Sequence, residues 1–165
     1  MHIRYLLLRT VRSIRHKRGG VGWGDGWAWV GWGGMGSMWY RYFVFSGRML
    51  AKLKVGDPLD LKSNMGSMIS KGHLKTVDGY IQKGIDEGAK LLSGGVSNND
   101  QKGFFAKPTL FDGLKEKMTI AQEEIFGPVL GILTVKSDEE ALKVASNSKY
   151  GLHASVFTQD INRAF

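Results

Sequence analysis

A break in composition near Gly47–Ala51 limits the fold more than any other feature of these 165 residues. Half of residues 19–36 are glycine, and all five tryptophans lie within the first 39 positions. Backbone this rich in glycine resists regular structure, because each Gly costs about 0.5–1 kcal/mol relative to Ala. The charge breaks at the same place. Residues 1–50 hold seven Arg and one Lys against a single acid, Asp25, for +7 of the total +8. Residues 51–165 hold fifteen basic and fourteen acidic residues, for +1. The length suits one ordinary domain, but the composition divides it into a basic Gly/Trp-rich segment, 1–48, and a nearly neutral segment, 49–165. The chain has no cysteine, which excludes disulfides, thiolate metal sites and cysteine nucleophiles. It also has no run of 18 apolar residues, so no transmembrane helix is expected.

Residues 1–18 are Arg-rich and acid-poor, a composition that suits a mitochondrial transit peptide or a basic surface helix. Their amphipathicity is poor, since Leu8 and Val11 fall among the arginines on a helical wheel. Gly31, Gly33 and Gly36 satisfy G-x-G-x-x-G. That pattern cradles pyrophosphate only between a strand and a helix, and neither is expected here. Arginine interleaved with Gly and Trp also suits RNA, through phosphate pairing and base stacking. A Gly/Trp/Arg/Val/Met tract is equally what G-rich DNA yields when it is translated out of frame.

From Met49 onward the pattern is α/β. Val55-Gly-Asp-Pro-Leu-Asp60 reads as a turn. Leu74, Val77, Ile81 and Ile85 recur at helical spacing, which predicts a helix over 70–87 with Gly88 beyond its end. Ala89–Leu92 reads as a short strand closed by Gly94 and Gly95. Phe104–Phe111 is strand-like, with Pro108 confining it to an edge or making it a strand end. Val129–Val135 reads as a strand buried on both faces. Ser137-Asp-Glu-Glu140 is a capping box opening a helix. Ala154–Thr158 reads as a further strand, and Asp160–Phe165 as the start of a helix.

His73 and His153 have no partner at metal-ligand spacing, so no metal site is expected. Glu123-Glu124 is the pair of interest. It precedes Ile125-Phe-Gly-Pro128 and a buried strand, so it could face a ligand crevice at a strand mouth. On residue chemistry alone, a solvated acid is the simpler reading.

Segment 49–165 resembles the NAD(P)-dependent aldehyde dehydrogenase superfamily. The matching stretches include Val55-Gly-Asp-Pro-Leu-Asp60, Gly79-Tyr-Ile81, Glu87-Gly-Ala-Lys-Leu-Leu92, Gly94-Gly95, Ile120-Ala-Gln-Glu-Glu-Ile-Phe-Gly-Pro-Val129 and Ala154-Ser-Val-Phe-Thr158. The resemblance implies part of a three-layer α/β catalytic domain, preceded by an irregular Gly/Trp/Arg-rich segment. It implies a small aldehyde substrate, NAD or NADP as cofactor, and a homo-oligomer. It matches Glu124 to the carboxylate that binds the nicotinamide ribose and Phe126 to the aromatic beside the nicotinamide ring. His73 matches a polar position near the cofactor and is not assigned a role. The family's thiolate nucleophile has no counterpart, because the chain lacks cysteine. The expectation is therefore a dehydrogenase segment that is inactive alone, with no catalytic residue to name and a cytoplasmic location (mitochondrial if the Arg-rich start is a leader). The alternatives are an RNA-binding module on 1–48 and a non-catalytic partner of a full-length homologue.

Overall fold

The computed structural model describes residues 3–7, 28–31, 50, 52–97, 103–151, 155–157 and 162. The elements are β1 (Ile3–Leu7), β2 (Ala28–Gly31), α1 (Lys71–Asp86), β3 (Lys90–Ser93), β4 (Thr109–Leu114), α2 (Thr119–Gln122), β5 (Val129–Val135), α3 (Asp138–Ser146) and β6 (Ser155–Phe157). The strands form one sheet in the order β3-β4-β5-β1-β2-β6. β4 and β5 run parallel, while β3 is antiparallel to β4 and forms one edge.

α1 is built as its spacing predicts. Ser70 caps it, its Oγ accepting from the His73 N–H at 3.1 Å. Gly88 follows the C-cap with φ +88°, a left-handed conformation that glycine adopts without penalty. The helix buries Leu74, Val77, Ile81 and Gly84. Gly84 has no room for a side chain: a Cβ there would sit 2.7 Å from Ile120 Cδ1 and 3.3 Å from Phe111 Cζ. That closeness lets α1 lie directly on β4 and α2.

The core unites Leu74, Val77 and Ile81 of α1 with Phe111 and Leu114 of β4, Ile120 and Ala121 of α2, and Val129, Leu133 and Val135 of β5. Leu130 and Ile132 of β5 alternate to the opposite face and are buried as well. β5 is thus covered on both faces, as its apolar run predicts. β4 starts at Thr109, immediately after Pro108, so the proline stands at a strand end and costs no ladder bond.

α3 opens at Ser137, whose Oγ accepts from the Glu140 N–H. The Glu140 carboxylate reaches one residue further back than in a standard capping box, accepting from the Lys136 N–H at 2.6 Å. α2 was not anticipated. It is a single turn, held by Glu87, whose carboxylate accepts from the backbone N–H and the hydroxyl of Thr119. No hydrophobic period exists over four residues, so pattern reading has nothing to detect.

Two short stretches of the first segment join the sheet. Ile3–Leu7 is a strand paired antiparallel with β5 through Ile3↔Val135, Arg4↔Thr134 and Tyr5↔Leu133. Ala28–Gly31 of the Gly/Trp tract is a second strand, between β1 and β6. The physical reason lies in β5, whose outer row of N–H and C=O groups takes a partner. Gly33, Gly36, His153 and, apart from Asn162, the helix expected over 160–165 lie outside the described residues.

Candidate functional site

The segment between α2 and β5, residues 123–128, is fastened to one face of α1 at three points. Near the helix start, His73 Nε2 lies 2.7 Å from the Phe126 carbonyl oxygen. A carbonyl only accepts, so Nε2 donates this bond. One turn on, Val77 packs against Gly127 so closely that a Cβ there would lie 2.7 and 2.8 Å from the two valine γ-methyls. A further turn along, the Tyr80 hydroxyl donates to Glu123 Oε2 at 2.7 Å. Positions 73, 77 and 80 follow the i, i+4, i+7 rhythm of a single helix face.

These attachments set the geometry of the two residues between them. Phe126 has φ +54°, the only positive φ among the described non-glycine residues. A bulky side chain enters this left-handed region at a cost of about 1–3 kcal/mol, so the surroundings must hold it there. Phe126 is 43% exposed, although Ile125 and Gly127 on either side are buried. Glu124 is half-buried. Among the described residues its carboxylate has no hydrogen-bond partner, so all its acceptor sites are available.

Glu123 and Glu124 therefore differ despite being adjacent. Glu123 is used internally by Tyr80, and Glu124 is not. The hydrogen bond to Glu123 is the main reason the Tyr80 phenol is held above its ordinary value of 10.0, with burial and the electrostatic influence of Glu123 and Tyr150 adding to it. A raised pKa means the folded state favours the protonated phenol. That stabilisation is complete below about pH 10 and disappears as pH rises through the folded-state value. Tyr80→Phe is accordingly expected to cost about 1.5–3 kcal/mol at neutral pH, the usual size of a hydrogen bond to an ionised partner. Urea melts at several pH values check this: the gap between wild type and variant should close above pH 10, and a constant gap would contradict the assignment.

Of the residues singled out from sequence, Glu124 and Phe126 fall together on this segment. His73, left without a role, and Tyr80, part of a matched motif only, are the α1 residues that hydrogen-bond to it. The apolar stripe Leu74, Val77, Ile81 was a usable signal, since it defines the buried face of α1 and places His73 and Tyr80 together along one edge of it. Among the described residues no group of three or more His, Asp or Glu could hold a metal ion. No helix among them is long and apolar enough to cross a membrane.

The chain belongs to the aldehyde dehydrogenase family, whose profile matches residues 44–165. It is 47% identical over 126 residues to the mitochondrial aldehyde dehydrogenase of Mesocricetus auratus, an alignment covering 74% of this chain and 25% of that protein. The mitochondrial enzyme of Sus scrofa is 46% identical, over 74% of this chain and 24% of its own length. Among solved structures, the Mycobacterium tuberculosis aldehyde dehydrogenase complexed with NAD+ superposes with a TM-score of 0.71 at 42% identity, over 78% of this chain and 27% of that one. The NAD+ complex of the Bacillus cereus enzyme gives 0.73 at 35% identity, over 82% and 27%. This chain thus spans about a quarter of the length of the curated relatives it matches. Neither its fold nor its relatives support the RNA-binding reading of residues 1–48.

Proposed function

We propose that residues 49–165 supply the nicotinamide-ribose-facing part of an NAD(P)-dependent aldehyde dehydrogenase site, with Glu124 and Phe126 as its cofactor contacts. The observation that carries this reading is a half-buried carboxylate without a hydrogen-bond partner among the described residues, two residues from an exposed phenylalanine with a left-handed backbone. These residues fit the cofactor. A carboxylate can accept from both hydroxyls of a ribose, and an exposed phenyl face offers a flat apolar surface to a nicotinamide ring. When bound, NAD(P) would supply the hydride acceptor for aldehyde oxidation. The protein's share here is to bind and orient it: Glu124 fixes the ribose, Phe126 flanks the ring, and α1 holds both.

The same 165 residues contain no cysteine. They carry no thiolate to attack an aldehyde carbonyl, and we take them to be inactive by themselves. An aldehyde substrate, homo-oligomeric assembly and a cytoplasmic or mitochondrial setting form part of the same proposal, and family membership supports them. Purified 1–165, assayed by absorbance for NAD(P)H formation with a panel of aldehydes, is expected to give no turnover. Turnover that Glu124→Ala abolishes would overturn the inactivity reading.

A further inference from the structure

We infer that His73 is a positioning residue whose imidazole, by donating from Nε2 to the Phe126 carbonyl, keeps Phe126 in its left-handed conformation with its ring presented at the surface. Its relevance to nicotinamide rests on the site proposed above, but the contact itself does not.

A continuous series of contacts leads to this carbonyl. Ser70 caps α1 and, by accepting the His73 N–H at 3.1 Å, fixes the backbone from which the imidazole projects. The ring then spans to a residue 53 positions later and meets its carbonyl oxygen at 2.7 Å. One turn further along α1, Val77 leaves no room for a side chain at Gly127. The Phe126–Gly127 peptide is therefore gripped from both ends, by a hydrogen bond on its carbonyl and by packing against its glycine. Such a grip is what an unfavourable φ at a bulky residue requires. Without the imidazole, Val77 still seats Gly127, but the peptide plane is free to rotate and Phe126 can relax toward negative φ. The requirement is for an N–H donor of suitable reach and not for a charge, so a glutamine amide can take the place of imidazole, whereas leucine, of similar bulk, cannot.

Phe126-Gly127 is the only Phe-Gly pair in the chain. Protein 1–165 labelled with 13C-carbonyl phenylalanine and 15N glycine therefore gives a single HNCO cross-peak, which reports on this carbonyl. His73→Leu is expected to move the carbonyl resonance upfield, the direction of a lost hydrogen bond, and His73→Gln to restore it. The affinity for nicotinamide mononucleotide should fall about three- to tenfold in the leucine variant, the worth of one such bond, and recover in the glutamine variant. An unmoved carbonyl resonance in a folded His73→Leu would overturn the proposal. If His73→Leu does not fold, wild-type protein still decides. A long-range 1H–15N spectrum at about pH 9, where an ordinary imidazole is neutral, must show His73 protonated on Nε2, and the Nδ1-protonated tautomer would refute the bond. If the mononucleotide fails to bind wild type while the carbonyl responds as expected, the cofactor reading falls and the role of His73 in holding Phe126 stands.

Discussion

Replacing Gly127 by alanine is expected to cost about 1–3 kcal/mol of stability, the usual range for overpacking a filled site. The added Cβ would lie 2.7 and 2.8 Å from both γ-methyls of Val77 and 3.3 Å from its Cβ. Val77 cannot swing aside, because a β-branched side chain in a helix has essentially one χ1 rotamer and this one is fully buried. The strain must therefore be relieved by moving the 123–128 segment away from α1. That movement stretches the neighbouring contact between His73 and Phe126, so the alanine variant should lose site geometry as well as stability. Urea melts followed by circular dichroism measure the first effect. Val77→Ala in the same chain supplies a control: removing the methyls makes room, so the double variant should recover part of what Gly127→Ala loses. A Gly127→Ala protein that melts like wild type would show that the segment is not seated on α1 as described.

Glu124→Ala is expected to weaken the binding of nicotinamide mononucleotide at least tenfold while leaving the urea midpoint nearly unchanged. Hydrogen bonds to an ionised partner contribute about 1.5–3 kcal/mol, which corresponds to about a tenfold to hundredfold change in affinity. The stability part follows from the structure. Among the described residues Glu124 accepts no internal hydrogen bond, so its removal orphans no donor. Its neighbour Glu123 behaves in the opposite way, since it accepts from Tyr80 at 2.7 Å. Glu123→Ala should therefore lower the urea midpoint and leave affinity the less affected of the two. Calorimetric titration beside urea melts separates the pair, and the reverse pattern would show that the two carboxylates have been assigned the wrong way round.

What could be read from sequence divides along the range of the interactions. α1 was legible because four apolar residues at helical spacing and a glycine after them each act within a turn or two of chain. β5 and the cap of α3 were legible for the same reason. The contacts that make a site of residues 123–128 are not local. Tyr80 meets Glu123 across 43 residues and His73 meets Phe126 across 53, and no pattern in either stretch encodes the pairing. The left-handed Phe126 was hidden for a further reason: propensity places glycine or asparagine at such a φ, and here tertiary contacts override it. β1 and β2 were missed because a Gly-rich, Arg-rich composition has no strand period of its own. β1 takes its place through β5, which is distant in sequence, and β2 through β1 and β6. The resemblance to a family supplied what local physics could not, a reason to choose Glu124 over the simpler reading of a solvated acid.

If Glu124 and Phe126 face the nicotinamide riboside half of a dinucleotide, as proposed, that half must bind beside them. Uniformly 15N-labelled 1–165 should be titrated with nicotinamide mononucleotide and followed by amide shifts. The largest changes are expected on Glu124, Ile125, Phe126 and Gly127, with a smaller response at His73, and Glu124→Ala is expected to suppress them. Saturating ligand that leaves these amides unmoved, or that moves them equally in Glu124→Ala, would contradict the proposal.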